Sequence, residues 1–252
     1  MPAYGLCWHR VKNKTYLGYN LIQLKDPLFT LLIESTPMPL QVAIIPVTPF
    51  QQNCSIIMCE ETKQAAVIDP GGEVERIVAQ ADAMGATITK ILLTHAHLDH
   101  VGGTVELAKL KDIKIEGPHI GDKFWLDMLP QQSQMFGFPP AQSFLPDRWL
   151  DEGETVTVGH VTLDVIHTPG HTPGHVIFHS KDDQLALVGD VLFQGSIGRT
   201  DFPQGNHAEL VASIRNKLFP LGDDITFVPG HGPNSTFGQE RRTNPFVAGK
   251  AG

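Results

Sequence analysis

The chain has 252 residues, of which 41% are hydrophobic and 18% charged, and its formal net charge is −8. That length can bury a sizeable core as one large domain or two small ones, and the hydrophobic content excludes a wholly disordered chain. No run of about 18 apolar residues offers a membrane span, and the net acidity argues against a nucleic-acid carrier, because phosphate binding needs a basic face.

Residues 1–37 carry Arg10, Lys12, Lys14 and Lys25 against only Asp26 and Glu34, so the acidity belongs to the remainder of the chain. Lys25, Asp26 and Pro27 interrupt the apolar stretch between Leu17 and Ile33, and no small-residue cleavage site follows it. A secretion signal is therefore disfavoured, and a poorly ordered extension is expected there, with the folded domain spanning 38–252. Three cysteines (Cys7, Cys54, Cys59) suggest no disulfide framework and fit a reducing, cytoplasmic compartment. Cys54 and Cys59 stand five apart on a strand-like stretch, so they should point to opposite faces.

From residue 40 short apolar, β-branched runs recur at 41–47, 55–59, 65–68, 90–94, 161–166, 175–178, 185–188 and 225–228, most of them bounded by turn residues. Helices are expected over 74–84, 101–111 and 208–218. The segment 118–150, rich in Pro, Gln, Phe and Trp, has weaker periodicity and reads as an insertion over one face. Strands alternating with helices in two stretches predict a layered α/β domain with two sheet-forming halves.

The strongest local signal is Thr94-His95-Ala96-His97-Leu98-Asp99-His100, directly after the apolar run Ile91-Leu92-Leu93. A chain of this composition yields roughly 0.002 matches to H-x-H-x-D-H by chance. In an extended segment residues two apart point the same way, so His95 and His97 can face one metal ion, while Asp99 and His100, at the turn into the next helix, can reach a second position. Imidazoles and carboxylates suit zinc, iron or manganese. Further donors stand where other apolar runs stop beside a glycine: Asp190 after Gly189, His231 after Gly230, and one or more of His167, His171 and His175 around Pro169-Gly170. Spacing alone does not choose among those last three. A carboxylate such as Asp190 can bridge two cations, which imidazole cannot. His9, His119, His160, His179 and His207 are expected to be surface or structural residues.

The set Thr94–His100, Pro169–Thr172, Gly189-Asp190 and Gly230-His231, together with Asp69-Pro70-Gly71-Gly72, resembles the metallo-β-lactamase superfamily over about residues 40–240. It looks most like the short, single-domain glyoxalase II (hydroxyacylglutathione hydrolase) branch. The resemblance implies a four-layer αββα sandwich with the site at one edge of two packed sheets. It also implies His95, His97 and His171 on one divalent metal ion, Asp99, His100 and His231 on a second, Asp190 bridging, and Asp69 supporting a ligand from behind. Zinc is the first expectation, with iron or manganese as alternatives. The expected partner is a small-molecule thioester, a glutathione conjugate, with no nucleic acid and no membrane; oligomeric state is left open.

No serine elbow or phosphate-binding Walker loop occurs, so water is the expected nucleophile. Metal-activated hydroxide, held by Asp99 as well, would attack a thioester whose thiolate leaves without much acid help. The glyoxalase II enzymes with a second domain carry a lysine at the place of Arg199, where it helps to hold glutathione, and a tyrosine two positions later. Arg199 keeps the cation, whereas Asp201 replaces the tyrosine and can instead tie Arg199 in a salt bridge. The stretch Gly198-Arg199-Thr200-Asp201-Phe202 is also close to the related persulfide dioxygenases, which use one iron. Lactonase or β-lactamase activity is a further alternative on the same fold.

Overall fold

The structure is a computed structural model and describes residues 40–249. The expected extension over 1–37, His9 and Cys7 lie outside the described residues.

A first sheet holds β1 (Leu40–Val47), β2 (Gln52–Cys59), β3 (Gln64–Ile68), β4 (Thr87–Leu92) and β5 (Lys114–Glu116), in that spatial order. Its first three strands run antiparallel, and β3, β4 and β5 run parallel. Parallel neighbours need crossovers, which α1 (Val74–Met84), α2 (Leu98–Val101) and α3 (Thr104–Lys111) supply. After a short helical turn at Ile120–Asp122, α4 (Lys123–Asp127) and α5 (Leu129–Phe136) fill the middle segment. A second sheet follows: β6 (Thr155–Val158), β7 (Val161–His167), β8 (Val176–Ser180) and β9 (Leu185–Gly189). The chain then forms the small hairpin β10 (Leu192–Phe193) and β11 (Ser196–Ile197), α6 (His207–Ser213), β12 (Thr226–Pro229), β13 (Ser235–Thr236) and α7 (Phe237–Thr243). The second sheet has the order β13-β12-β9-β8-β7-β6, and β9 and β12 are parallel.

Side chains alternate across a strand, and here both alternating sets are apolar. On β2, Cys54, Ile56 and Met58 pack outward against α1 through α5, while Ile57 and Cys59 pack inward. On β9, Leu185 and Leu187 meet the first sheet, while Ala186 and Val188 meet α6 and α7. Three apolar layers thus separate four structural layers, which is the αββα sandwich, and unbroken runs such as Ser55–Cys59 follow because both faces are covered. Cys54 and Cys59 are free thiols on opposite faces of the sheet, as their spacing required.

Three elements differ from expectation, the first two for a tertiary reason. The strand expected over 90–94 ends at Leu92, because Asp69 draws off the Thr94 N–H at 2.8 Å. The helix expected over 101–111 is split, since the chain passes close beneath the Asp69–Gly72 turn: Gly103 N–H donates to Pro70 O at 2.8 Å, and a Cβ on Gly102 would lie 2.6 Å from Gly71 O. Asp99 and His100 therefore sit on the short helix α2 rather than on a turn. The helix expected over 208–218 widens into a π-helical turn from Ile214 to Leu218. The middle segment does lie over one face, with Trp125, Leu126 and Leu129 buried against the first sheet.

Candidate metal centre

Both sheets deliver their site residues at one rim. The loop after β4 carries His95 and His97, α2 carries Asp99 and His100, the β7–β8 loop carries His171, and Asp190 and His231 follow β9 and β12. Two hydrogen bonds lock the sheets together there, Val176 N–H to Thr94 O at 2.8 Å and Asn53 N–H to Gly230 O at 2.7 Å.

His95 Nε2 and His171 Nε2 stand 3.2 and 3.0 Å from His97 Nδ1. A second group joins Asp99, His100 and His231, with His231 Nε2 3.2 Å from Asp99 Oδ2. Asp190 lies between the two: Oδ1 is 3.4 Å from His100 Nε2, and Oδ2 is 3.6 Å from His171 Nε2 and 3.7 Å from His231 Nε2. All seven candidate ligands converge. Of His167, His171 and His175, only His171 joins them. His175 stacks on His95 and accepts the Asp190 N–H at 3.1 Å, and His167 stacks on His119 instead. Asp69, His95 and His100 also lie close together, but the Asp69 oxygens are already taken by Thr94 N–H, Thr94 Oγ1 and His100 Nδ1.

The outer partners of the imidazoles decide whether these residues fit cations. His171 Nδ1 faces Arg199 O at 2.7 Å, His231 Nδ1 faces Phe50 O at 3.2 Å, and His100 Nδ1 faces Asp69 Oδ2 at 2.9 Å. Each of these oxygens can only accept, so the facing nitrogen carries the proton. Thr94 Oγ1 donates to Asp69 Oδ2 at 2.5 Å and can accept from His95 Nδ1 at 3.0 Å. With Nδ1–H held outward, all four imidazoles point Nε2 inward, the nitrogen that a cation would take. Buried His100 Nε2 and Asp190 Oδ1 have no hydrogen-bond partner. Converging lone pairs without donors are what a cation satisfies, and the donor set fits one on each side of Asp190.

Electrostatics agree. Burial holds His95, His97, His171 and His175 below the usual imidazole value, so they are neutral. For His100 burial pulls the same way, but the carboxylates of Asp190 and Asp99 prevail and raise it. At His231 burial is likewise outweighed, by the Asp99 hydrogen bond and Asp190. Asp190 itself is held far below the carboxylate range, against its burial, chiefly by His100. This side of the site draws positive charge.

A cavity of about 480 Å³ opens onto His97, Asp99, His171, Asp190 and His231, while His95 and His100 lie buried behind them. Trp125 and Phe202 stand edge-on to the His97 ring, at 4.6 and 5.0 Å between centroids, and keep that side dry. Arg199 lines the mouth, its Nε and Nη2 bonded to Asp201 at 2.9 and 2.7 Å, so the salt bridge weighed from the sequence is formed. Among the other histidines, His160 is exposed beside Glu61 and His207 is exposed at the start of α6, whereas His179 is buried.

Two residues of the middle segment had no signal in the sequence. The fully buried Asp122 carboxylate accepts from Ala96 N at 2.9 Å, Thr172 Oγ1 at 2.8 Å and Gly174 N at 2.6 Å, and so ties the His95–His97 loop to the His171 loop. Gln132 takes the Leu98 N–H at 3.0 Å and donates to Trp125 O at 2.9 Å. A lone Asp or Gln whose partners are backbone groups of distant loops leaves no spacing to read.

The family model of the metallo-β-lactamase superfamily matches residues 47–231. A Haemophilus influenzae protein described as hydroxyacylglutathione hydrolase GloC is 49% identical over 84% of this chain and 100% of its own length. Among solved structures, the BLEG-1 B3 metallo-β-lactamase superposes with a TM-score of 0.77 at 37% identity, covering 83% of this chain and all of that one. TTHA1623 in a di-iron-bound form gives 0.74 at 36% identity, covering 81% and 99%. The chain belongs to the metallo-β-lactamase superfamily and is a metallo-hydrolase within it. No helix among the described residues is long and apolar enough to cross a membrane.

Proposed function

We propose that the protein is a binuclear, metal-dependent thioester hydrolase of the type II glyoxalase kind, acting on S-D-lactoylglutathione or a close relative. The observation that carries this reading is the position of Asp190, whose two oxygens face both donor groups at 3.4 to 3.7 Å. His95, His97 and His171 would hold one ion and Asp99, His100 and His231 the other, with Asp190 shared and zinc the first candidate. Bound divalent cations supply a lowered water pKa, toward about 7, and polarisation of the attacked carbonyl.

The rest falls to the chain. Asp99, facing the cavity from α2, orients the water and takes its proton. The water oxygen adds to the acyl carbon, the C–S bond breaks with its electron pair leaving on sulfur, and acid and thiol are released. Outer partners fix each imidazole so that little reorganisation accompanies the charge change. Arg199 is the candidate contact for the glutathionyl carrier, which must compete with Asp201 for it. A reducing, cytoplasmic setting accords with the sparse cysteines of the chain.

Steady-state hydrolysis of S-D-lactoylglutathione by metal-assayed protein tests the proposal, with Asp190→Ala as control. About two ions per chain and loss of at least 10³-fold in kcat/KM for the variant are expected, since a residue that assembles the reacting centre acts as a unit with it. One iron per chain with oxygen uptake on a glutathione persulfide, and no thioester turnover, would replace the reading with the dioxygenase.

A further inference from the structure

The cavity is larger and more apolar than a three-carbon hydroxyacyl group requires. Its volume of about 480 Å³ falls within the roughly 300–1,000 Å³ that encloses drug-sized ligands. The candidate ligands make the floor polar, and above it Gln131, Gln132 and Arg199 are the polar side chains in a lining that is otherwise largely apolar. The wall is built by Phe50 from the β1–β2 turn, Trp125, Met135 and Phe136 from α4 and α5, and Met128 and Phe138 beside those helices. Phe50 stands edge-on to Phe136 at 6.0 Å and to Phe138 at 5.1 Å, so loop and helix form one aromatic surface. Methionines beside it adapt to ligands of varied shape.

Charge is distributed the opposite way from what a glutathionyl carrier would select. Glutathione brings two carboxylates, yet among the described residues the lining has no lysine and a single arginine. That arginine is bonded twice to Asp201 and lies over the Phe202 ring at 4.5 Å. Among the described residues the lining offers the carrier no unpaired lysine or arginine, so apolar burial of the acyl group is the larger source of binding energy.

We propose that this wall sets the substrate class: α-hydroxyacyl thioesters whose acyl group is large and apolar, aryl or branched alkyl, in preference to lactoyl. The inference rests on the thioesterase reading above, and its test separates the two. The metal-loaded protein is assayed with S-D-mandeloylglutathione and S-D-lactoylglutathione, which share a carrier and differ only in phenyl against methyl. The mandeloyl ester is expected to have about tenfold or greater kcat/KM, mainly through KM, from the added apolar area. Phe136→Ser and Met135→Ser should each bring the ratio down toward one; both residues are exposed, so the core is untouched, and metal content measured alongside reports the fold. A ratio at or below one, or a high ratio that both variants leave unchanged, overturns the substrate class while the thioesterase reading stands. No turnover of either ester overturns the thioesterase reading itself.

Discussion

The floor and the wall of the cavity are built on different terms. On the floor, loops from both sheets are clamped by backbone hydrogen bonds and by glycines with no room for a Cβ: one on Gly230 would collide with Asp190 Oδ1 and approach His100 Cε1 to 2.6 Å. The wall is two short helices and a loop, and Met135 at its edge is 73% exposed. Rigid positioning is needed where reacting atoms and ions must be held, and tolerance suffices where apolar surface is merely covered. On the proposed reading, the contrast predicts that metal loading and substrate range respond to different substitutions.

Gly230→Ala attacks the floor where it has least freedom and should have the largest effect. Gly230 is held on both sides, its N–H to Gly189 O and its carbonyl by Asn53 N–H, each at 2.7 Å, so the collision must be absorbed by Asp190 and His100. A misplacement of about 1 Å costs on the order of 10²-fold in rate, and metal content should fall with it. Met135→Ser, on the wall, should keep its metal. Equal metal loss in the two variants would erase the distinction between the regions.

Asp122→Asn probes the join between them, because Asp122 precedes α4 yet binds the floor loops. The amide must turn its NH₂ toward donors, which costs about 1–3 kcal/mol of stability, or several degrees in Tm for a domain of this size. Burial pushes the Asp122 carboxyl up to about 7, against hydrogen bonds from Thr172, Gly174 and Ala96 that favour the ionised form. A folded-state value above the ordinary 3.8 means that the native state binds the proton more tightly than the unfolded chain. The contribution is therefore complete at low pH and lost as pH rises through about 7. In metal-free protein the Tm gap between parent and variant should narrow from pH 5 to pH 8. A constant gap would show that Asp122 is ionised throughout.

What the sequence disclosed follows the same division. Runs such as Ala65–Ile68 and Leu185–Gly189 are apolar at every position because two cores meet across them, and the floor ligands stand where those runs stop beside glycine. Such features are local, so they are legible. Asp122 and Gln132 hold backbone N–H groups 26 to 52 residues away, and no local pattern encodes that. Nor does helical periodicity reveal the break at Gly102 and Gly103, which the Asp69–Gly72 turn imposes from outside. The short strands β5 and β6 are edge pieces of three and four residues, too brief for a period to emerge.

The smallest effect is expected at the cavity mouth, where Asp201→Ala would sharpen the account of the wall. The Arg199–Asp201 pair is exposed, 67% and 65% for the two side chains, and exposed pairs contribute little to stability, so the fold should not respond. The released guanidinium, still beside the Phe202 ring, could then meet a carboxylate of the carrier. KM for S-D-lactoylglutathione should drop by a few-fold at low salt with kcat unchanged, the mark of binding shared by ground and transition states. The gain should vanish at high ionic strength, because an exposed charge pair is screened. If KM stays put at low salt, Arg199 has no part in holding the carrier. The apolar wall would then be left as the source of binding energy outside the floor.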